Sequence, residues 1–403
     1  AGITSTEVQT FRQSANASFW VPLSWELRLK GNAAFGAGTE DIVLETAMPL
    51  APSSIPGGSL SGTLVYVGTG SAAELAHIDV SGKIAVQQVT PQAHMVFERD
   101  PTVPRAQEMF ERGAIAVINI MDQPGNEMAK DFSNCGGPCF NIGGRDGNFL
   151  AEVFNRAAEA GVFDALQAEM SLESQTLSNL SAENGIGVIP GSASDEAIII
   201  NAHVDAWFDG AGDNGDGVAV QIALAKHFAK PENRTSRTLV FVASAGHHTS
   251  GLNGPSNFVT MNHGIAANTL LTLNIEHVAQ RNFSPARSQF EDGYREYIAD
   301  SGEAPIVAGV TNSAPFLESL FVQGVQRYGT NFVSGPSTMA SGEGGGYRAI
   351  EAPIVTTMQA PPLYHTSGEV LEAISEPGLE RMARFLAFFI KELDKAPREL
   401  INP

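Results

Sequence analysis

Residues 201–217 read NAHVDAWFDGAGDNGDG, set between two runs of different periodicity. The preceding run, Glu196-Ala-Ile-Ile-Ile-Asn-Ala202, is short, apolar and β-branched, which predicts a buried strand with His203 at its end. The following run, Val218 to Lys230, carries apolar residues at helical spacing. Strand, loop and helix form the unit of an open α/β sheet, whose sites lie at strand ends. Glycines at 210, 212, 215 and 217 let the loop turn sharply and bring Asp213 back towards His203. A His, a one-residue gap, an Asp and a second Asp eight residues on make a metal-site layout. Imidazole binds a divalent ion through a neutral nitrogen, and a carboxylate can bridge two ions. Asp205 is expected to hold the other ring N–H of His203 and so fix its tautomer. The plain alternative is a Gly/Asp-rich loop in which His203 is merely hydrogen-bonded.

Outward from this stretch, the chain alternates strands and helices. Residues 1–55 open with an expected helix and continue into strand-like segments at 25–30 and 41–45. The segment from 49 to 62, rich in Pro, Ser and Gly, reads as a linker. Strands are expected at 63–67, 82–86, 114–120 and 166–172, with helices near 104–112 and 148–160. From 185 the pattern is again strand, loop, helix, with strands at 186–189, 197–201, 238–243 and 268–274 and helices at 217–229 and 317–328. A last helix, Pro377 to Leu393, carries Leu379, Met382, Leu386 and Phe389 on one face.

Composition bounds the function. The chain has 403 residues, enough for two or three domains, and 43% hydrophobic residues, ordinary for a globular protein. A formal net charge of −20 argues against nucleic-acid binding, which needs clustered Lys and Arg, and would repel an anionic membrane surface. No apolar run is long enough to predict a membrane span. The polar opening AGITSTEVQT has no initiator Met and no apolar signal core, which fits a processed or a trimmed chain. The two cysteines, Cys135 and Cys139, can pair across a Gly-Pro turn, remain free thiols, or form half a metal site. With no further Cys and no nearby His, zinc is the weakest of these. The disulfide is favoured and would suit a secreted or periplasmic protein.

More ligand-type residues stand at later strand ends: His247-His248 after the strand at 238–243, Glu276-His277 after Leu273-Asn274-Ile275, and Tyr364-His365 near the C-terminus. Each has a plain reading, as a surface pair, an ion-pair partner or a buried polar pair. On successive sheet-end loops of one pattern, they point together to a metal cluster.

With these residues the chain resembles the co-catalytic zinc aminopeptidases and carboxypeptidases that include glutamate carboxypeptidase II, with the transferrin receptor ectodomain as a non-enzymatic relative. Residues 180–369 carry the resemblance. His203-Val-Asp205 and Gly210-Ala-Gly-Asp213-Asn-Gly-Asp-Gly217 match the family's His-x-Asp and Gly-Ala-x-Asp-Asn-x-x-Gly. His247-His248-Thr-Ser-Gly251-Leu-Asn-Gly254 matches in part a Glu-Glu-x-Gly-Leu-x-Gly-Ser loop. Asn274-Ile-Glu276 matches Asn-x-Asp, Tyr364-His365 the final Tyr-His, and Ser341-Gly-Glu343-Gly344 a Ser-Asp-His segment. Residues 57–165 resemble an inserted protease-associated domain, with Ile142–Leu150 as its closing element. The implied architecture is a mostly parallel α/β sheet sandwiched by helices, built from 1–56 plus 166–403, with a β-rich insert at 57–165.

The departures shape the functional expectation. The family's Glu pair, general base and metal ligand, is His247-His248 here, and its second-ion Asp is Glu276. None of these changes removes a donor. The implied shell is therefore His203, Asp213, His248, Glu276 and His365, with Asp205 behind His203. It holds one or two divalent ions, zinc first, with iron, copper or nickel also suited to a nitrogen-rich set. An imidazole has an ordinary pKa near ~6.5, so His247 is expected to accept the proton of metal-bound water, and Tyr364 to meet the oxyanion. Glu343, Tyr347 and Arg348 are expected to line the substrate pocket. The expected reaction is hydrolysis of an amide or peptide-like bond in a small-molecule or peptide substrate. A lyase or cyclase acting on a small substrate, and an inactive binding protein, stand as alternatives. A homodimer is left open.

Overall fold

The strand Ala197–His203 is buried at every residue, as a strand with neighbours on both sides and helices on both faces must be. Its isoleucines divide by parity. Ile198 and Ile200 join one hydrophobic core, and Ile199 joins the core on the opposite face. In the computed structural model, which describes all residues except 1–2, 4, 34–39, 91–102, 131–134, 290–292, 333–341 and 360, this strand lies at the centre of a seven-stranded sheet. It pairs in parallel with Thr238–Ser244 on one side and Thr269–Ile275 on the other, and Ile354–Gln359 extends the parallel part. Antiparallel strands finish both edges: Ser181–Ile189 then Ser5–Arg12 on one, Ile306–Val310 on the other. The fold is thus the expected α/β sheet between helices, with a parallel centre and antiparallel margins.

One face is covered by the helices Asp216–Phe228, Pro315–Tyr328 and Glu376–Lys395, which contribute Val220, Leu224, Leu317, Phe321, Phe385 and Phe389 to its core. Ser375 caps the last helix by accepting from the Gly378 N–H, and Met382, Leu386 and Phe389 of its expected apolar face are buried. Burying each such side chain stabilises the fold by about 1.5–3 kcal/mol. No helix among the described residues is long and apolar enough to cross a membrane.

Three expectations change. Residues 5–12 form a strand, not a helix. Its inward residues Gln9 and Phe11 alternate with exposed ones, and its full length pairs with Ser181–Ile189, so the ladder overrides local preference. The second sheet also takes in more chain than 57–165. Its eight strands include Phe19–Leu29, paired with Gln167–Leu177, and Met48–Pro49, paired with Cys139–Ile142. Segments expected in the unit 1–56 plus 166–403 therefore close this sheet, around a core of Leu27, Ile84, Ile118, Phe140 and Met170. The strand Ser59–Tyr66 likewise claims the end of the expected linker. Cys135 and Cys139 are joined by a disulfide.

Candidate metal centre

His203 is delivered by the end of its strand, and Asp213 by the glycine loop that follows. Gly210 adopts a left-handed φ of 56°, and a Cβ there would meet the Ala206 Cβ at 2.1 Å, so the turn requires glycine. Asn214 fastens the loop to the neighbouring strand end: its Nδ2 donates to the Ile275 carbonyl at 2.8 Å and its Oδ1 accepts from the His277 N–H at 3.1 Å. The Ala211 N–H donates to the Glu369 carbonyl at 3.0 Å, tying the same loop to the segment that bears His365.

The result is one carboxylate, 1% exposed, ringed by imidazoles. Oδ1 of Asp213 lies 2.9 Å from His203 Nε2 and 2.8 Å from His277 Nε2. Oδ2 lies 3.1 Å from His248 Nε2 and 2.8 Å from His365 Nε2. Nδ1 of His203 contacts the Asp205 carbonyl at 2.9 Å, and Nδ1 of His277 contacts the Gln359 carbonyl at 3.0 Å. Such carbonyl partners hold a proton on Nδ1 and direct Nε2 inwards. His277 and His365 sit at left-handed φ values of 44° and 57°, a conformation that costs non-glycine residues about 1 kcal/mol or more and concentrates at functional sites.

Burial alone would raise the Asp213 carboxyl, but His277, His203 and His248 hold it well below the usual carboxylate range. Burial likewise opposes a charge on His277, and Asp213, helped by Glu276 and Glu369, outweighs it and lifts the imidazole to about 10. The donor set fits divalent ions. His203 Nε2 and His248 Nε2 are buried and approach the carboxylate without a hydrogen bond among the described residues. The sets His203, Asp213, His277 and Asp213, His248, His365 each bring their donor atoms within 4.8 Å of one another, and they share Asp213.

Of the expected ligands, His203, Asp213, His248 and His365 converge and Glu276 does not. Glu276 turns into a separate buried pair. Its Oε1 accepts from Asn274 Nδ2 at 2.7 Å and from the Glu343 N–H at 3.1 Å. The residue that reaches Asp213 from this strand end is His277, which the sequence pattern does not single out. Adjacent residues at a strand end point to opposite sides, so a ligand-type pair there offers one member or the other to the site.

Asp205 does not hold His203 through its carboxylate, whose Oδ1 is 3.9 Å from His203 Nδ1. Its Oδ2 accepts from the His248 N–H at 2.8 Å, and the backbone carbonyl serves His203. His247 lies on a loop with its ring 4.5 Å from that of His203 and 4.7 Å from that of His248. Burial and these two rings push it down to about 4. Tyr364 stacks on His365 at 3.7 Å, 5.0 Å from the His277 ring. Tyr347 does not line a pocket: it is fully buried and donates its hydroxyl to Asn201 Oδ1 at 2.8 Å. Glu343 is buried too and accepts from Asn201 Nδ2 at 3.0 Å, while Arg348 is exposed, and both border a small pocket of about 220 Å³ behind His247. Ser341 lies outside the described residues.

A cleft of about 910 Å³ opens onto His247, His248, Tyr364 and His365, with its far wall, including Trp20 and Thr176, supplied by the second sheet. The whole arrangement is similar in fold to a zinc aminopeptidase from Bacillus subtilis, with a TM-score of 0.61 at 18% identity over 98% of this chain and 87% of that one. It is similar also to a peptidase M28 precursor from Shewanella amazonensis, with a TM-score of 0.67 at 18% identity over 98% and 85%. A probable glutamate carboxypeptidase of Arthroderma benhamiae is 39% identical over 80 residues, which are 19% of this chain and 11% of that protein. The chain thus matches about a tenth of the length of that curated relative. Peptidase family M28 matches residues 184–390, more than half of the sequence, and the chain belongs to that family.

Proposed function

We propose that this M28-family chain is a metal-dependent hydrolase of an amide or peptide-like bond, with a site for two ions on either side of Asp213. The observation that carries this reading is the sharing of one buried carboxylate between two imidazole pairs. His203 and His277 would hold one ion and His248 and His365 the other. Zinc, named for the Bacillus relative, suits this donor set, as do iron, copper and nickel. Such ions supply Lewis acidity towards a carbonyl and acidify water near neutral pH.

His247 is the proton acceptor in this reading. Burial, with the neighbouring rings of His203 and His248, lowers its pKa to about 4, so the ring is unprotonated at neutral pH and can accept a proton. Exchanging the family's Glu for a buried imidazole keeps a proton acceptor and removes the negative charge. Tyr364, packed against two of the imidazoles, offers a hydroxyl for an oxyanion. The second sheet, read as an insert, forms the outer wall of the substrate cleft, whose volume suits a small ligand or a short peptide. The Cys135–Cys139 pairing supports an oxidising, exported location.

The test is elemental analysis of the purified chain together with turnover of aminoacyl and peptidyl reporters. Bound transition metal with turnover is the expected result. Metal without turnover moves the assignment to a lyase or cyclase acting on a small substrate. No bound metal leaves only a binding protein.

A further inference from the structure

The strand Thr269–Ile275 ends in a curl rather than a straight continuation. The Glu276 N–H still donates across the sheet, to the Thr357 carbonyl at 2.9 Å. The next three N–H groups all turn into the segment that carries Asp213. The His277 N–H donates to Asn214 Oδ1 at 3.1 Å, and those of Val278 and Ala279 donate to Asp216 Oδ2 at 2.9 Å and 2.7 Å. An extended strand sends successive N–H groups to opposite edges, so three in a row require a bend. The left-handed φ of 44° at His277 supplies it, and a bend of this kind gathers N–H groups around an anion.

Asp216 opens the helix Asp216–Phe228 and is 2% exposed, and its Oδ1 is buried with no hydrogen-bond partner among the described residues. A buried carboxyl costs stability unless hydrogen bonds offset it. Both bonds that Asp216 accepts from outside its own helix come from this one turn. Gly217 allows the close approach: a Cβ there would lie 2.2 Å from Asn214 Oδ1 and 2.7 Å from the Ile275 carbonyl. The motif Gly-Ala-x-Asp-Asn-x-x-Gly leaves position 216 open, and His277 stands one residue beyond Asn-x-Asp, so the family pattern prescribes neither partner.

We propose that Asp216 is the positioning residue of His277: its carboxylate fixes the bend at 277–279 and so directs this imidazole, and not the Glu276 carboxylate, to Asp213. This role rests on the two-ion reading for its consequence but not for its geometry. Asn214 holds the bend at its entry and Asp216 at its exit. Without Asp216 two buried N–H groups lose their acceptor, which is costly, and the strand end relaxes. His277 then leaves Asp213, whereas His248 and His365 come from other segments and keep their places. The expected loss is therefore confined to one of the two ions.

The experiment compares wild type, Asp216→Ala and Asp216→Asn, each as the full chain loaded with cadmium-113 and followed by NMR. Wild type should give one resonance for each ion. Asp216→Ala should lose or shift one resonance and leave the other, with about one ion per chain by elemental analysis. Asp216→Asn keeps an acceptor oxygen of the same reach and should restore the second resonance, with affinity for that ion within about tenfold of wild type. Amide hydrogen exchange of the metal-free proteins gives a second readout. The Val278 and Ala279 amides should exchange about 10- to 100-fold faster in Asp216→Ala and near the wild-type rate in Asp216→Asn. Asp216→Leu, which fills the same volume without an acceptor, takes the place of Asp216→Ala should that variant fail to fold. The proposal is overturned if both resonances persist unshifted without the acceptor, if both are disturbed equally, or if the two amides keep their protection. Fewer than two resonances in wild type would defeat the two-ion reading, and the exchange rates would still decide whether Asp216 holds the turn.

Discussion

Two sets of buried carboxyls stand at the carboxyl edge of the central sheet, and their charge states differ. Asp213 is ionised because imidazoles surround both of its oxygens. Glu276 and Glu343 are hydrogen-bonded to amides and face each other, with the His247 ring nitrogen no closer than 3.9 Å to Glu343 Oε2. Burial and the neighbouring Glu276 push Glu343 well above the usual range. Burial would raise Glu276 as well, but the hydrogen bond from Glu343 keeps it low. Two carboxyls that close share one proton. The difference teaches that burial of an acid says little about metal binding. What matters is whether its neighbours can supply lone pairs to an ion, as imidazoles do and the Asn201 and Asn274 amide N–H donors do not.

The comparison breaks most visibly at Asp213. Asp213→Ala removes the shared carboxylate from both imidazole pairs, and elemental analysis should find essentially no bound metal, with turnover lost. Thermal melts should show metal-dependent stabilisation in the wild type and none in the variant, because an ion that binds only the folded state stabilises it. His247→Ala should keep its metal and lose turnover by about 10²–10⁴-fold, the usual contribution of a general base. Steady-state kinetics on metal-verified protein separates the two cases.

The acid–base state of the metal-free site sharpens the contrast further. The His277 imidazole is raised to about 10 in the fold, above its unfolded value near ~6.5. Its contribution to stability is therefore complete below about pH 6.5 and is lost as pH rises through about 10. Metal-free wild type should show this falling stability in melts across the window, His277→Ala should lack it, and metal-loaded protein should lack it because a ligand nitrogen carries no proton. The smallest effect is expected at the carboxyl pair. Glu276→Gln and Glu343→Gln keep the shape and the amide contacts, so metal content should be unchanged and turnover should fall by less than about tenfold.

The parts of the site legible in the sequence are those where local spacing forces geometry. His203 ends an apolar β-branched run, and the glycines from 210 to 217 leave Asp213 little choice but to fold back. His248 follows a strand whose periodicity is plain, whereas His365 is legible only from the Tyr-His pair itself, because the strand Ile354–Gln359 before it is not announced by the sequence pattern. At residues 276 and 277 spacing does not decide, because the outcome depends on a left-handed turn at His277, and Glu276 finds a partner in Glu343, distant in sequence. The N-terminal strand is hidden for a related reason: its inward residues are Gln9 and Phe11, and only pairing with Ser181–Ile189 makes that alternation meaningful. Trp20 and Lys130 reach the cleft from the second sheet and its connections, so no local pattern announces them.

In the proposed two-ion site around Asp213, His277 and not Glu276 supplies the ligand from this strand end. The direct measurement is metal stoichiometry by elemental analysis of wild type, His277→Ala and Glu276→Gln, loaded under identical conditions. About two ions per chain are expected in the wild type and in Glu276→Gln, with a loss of bound metal in His277→Ala. Loss of metal in Glu276→Gln with full occupancy in His277→Ala would contradict this assignment.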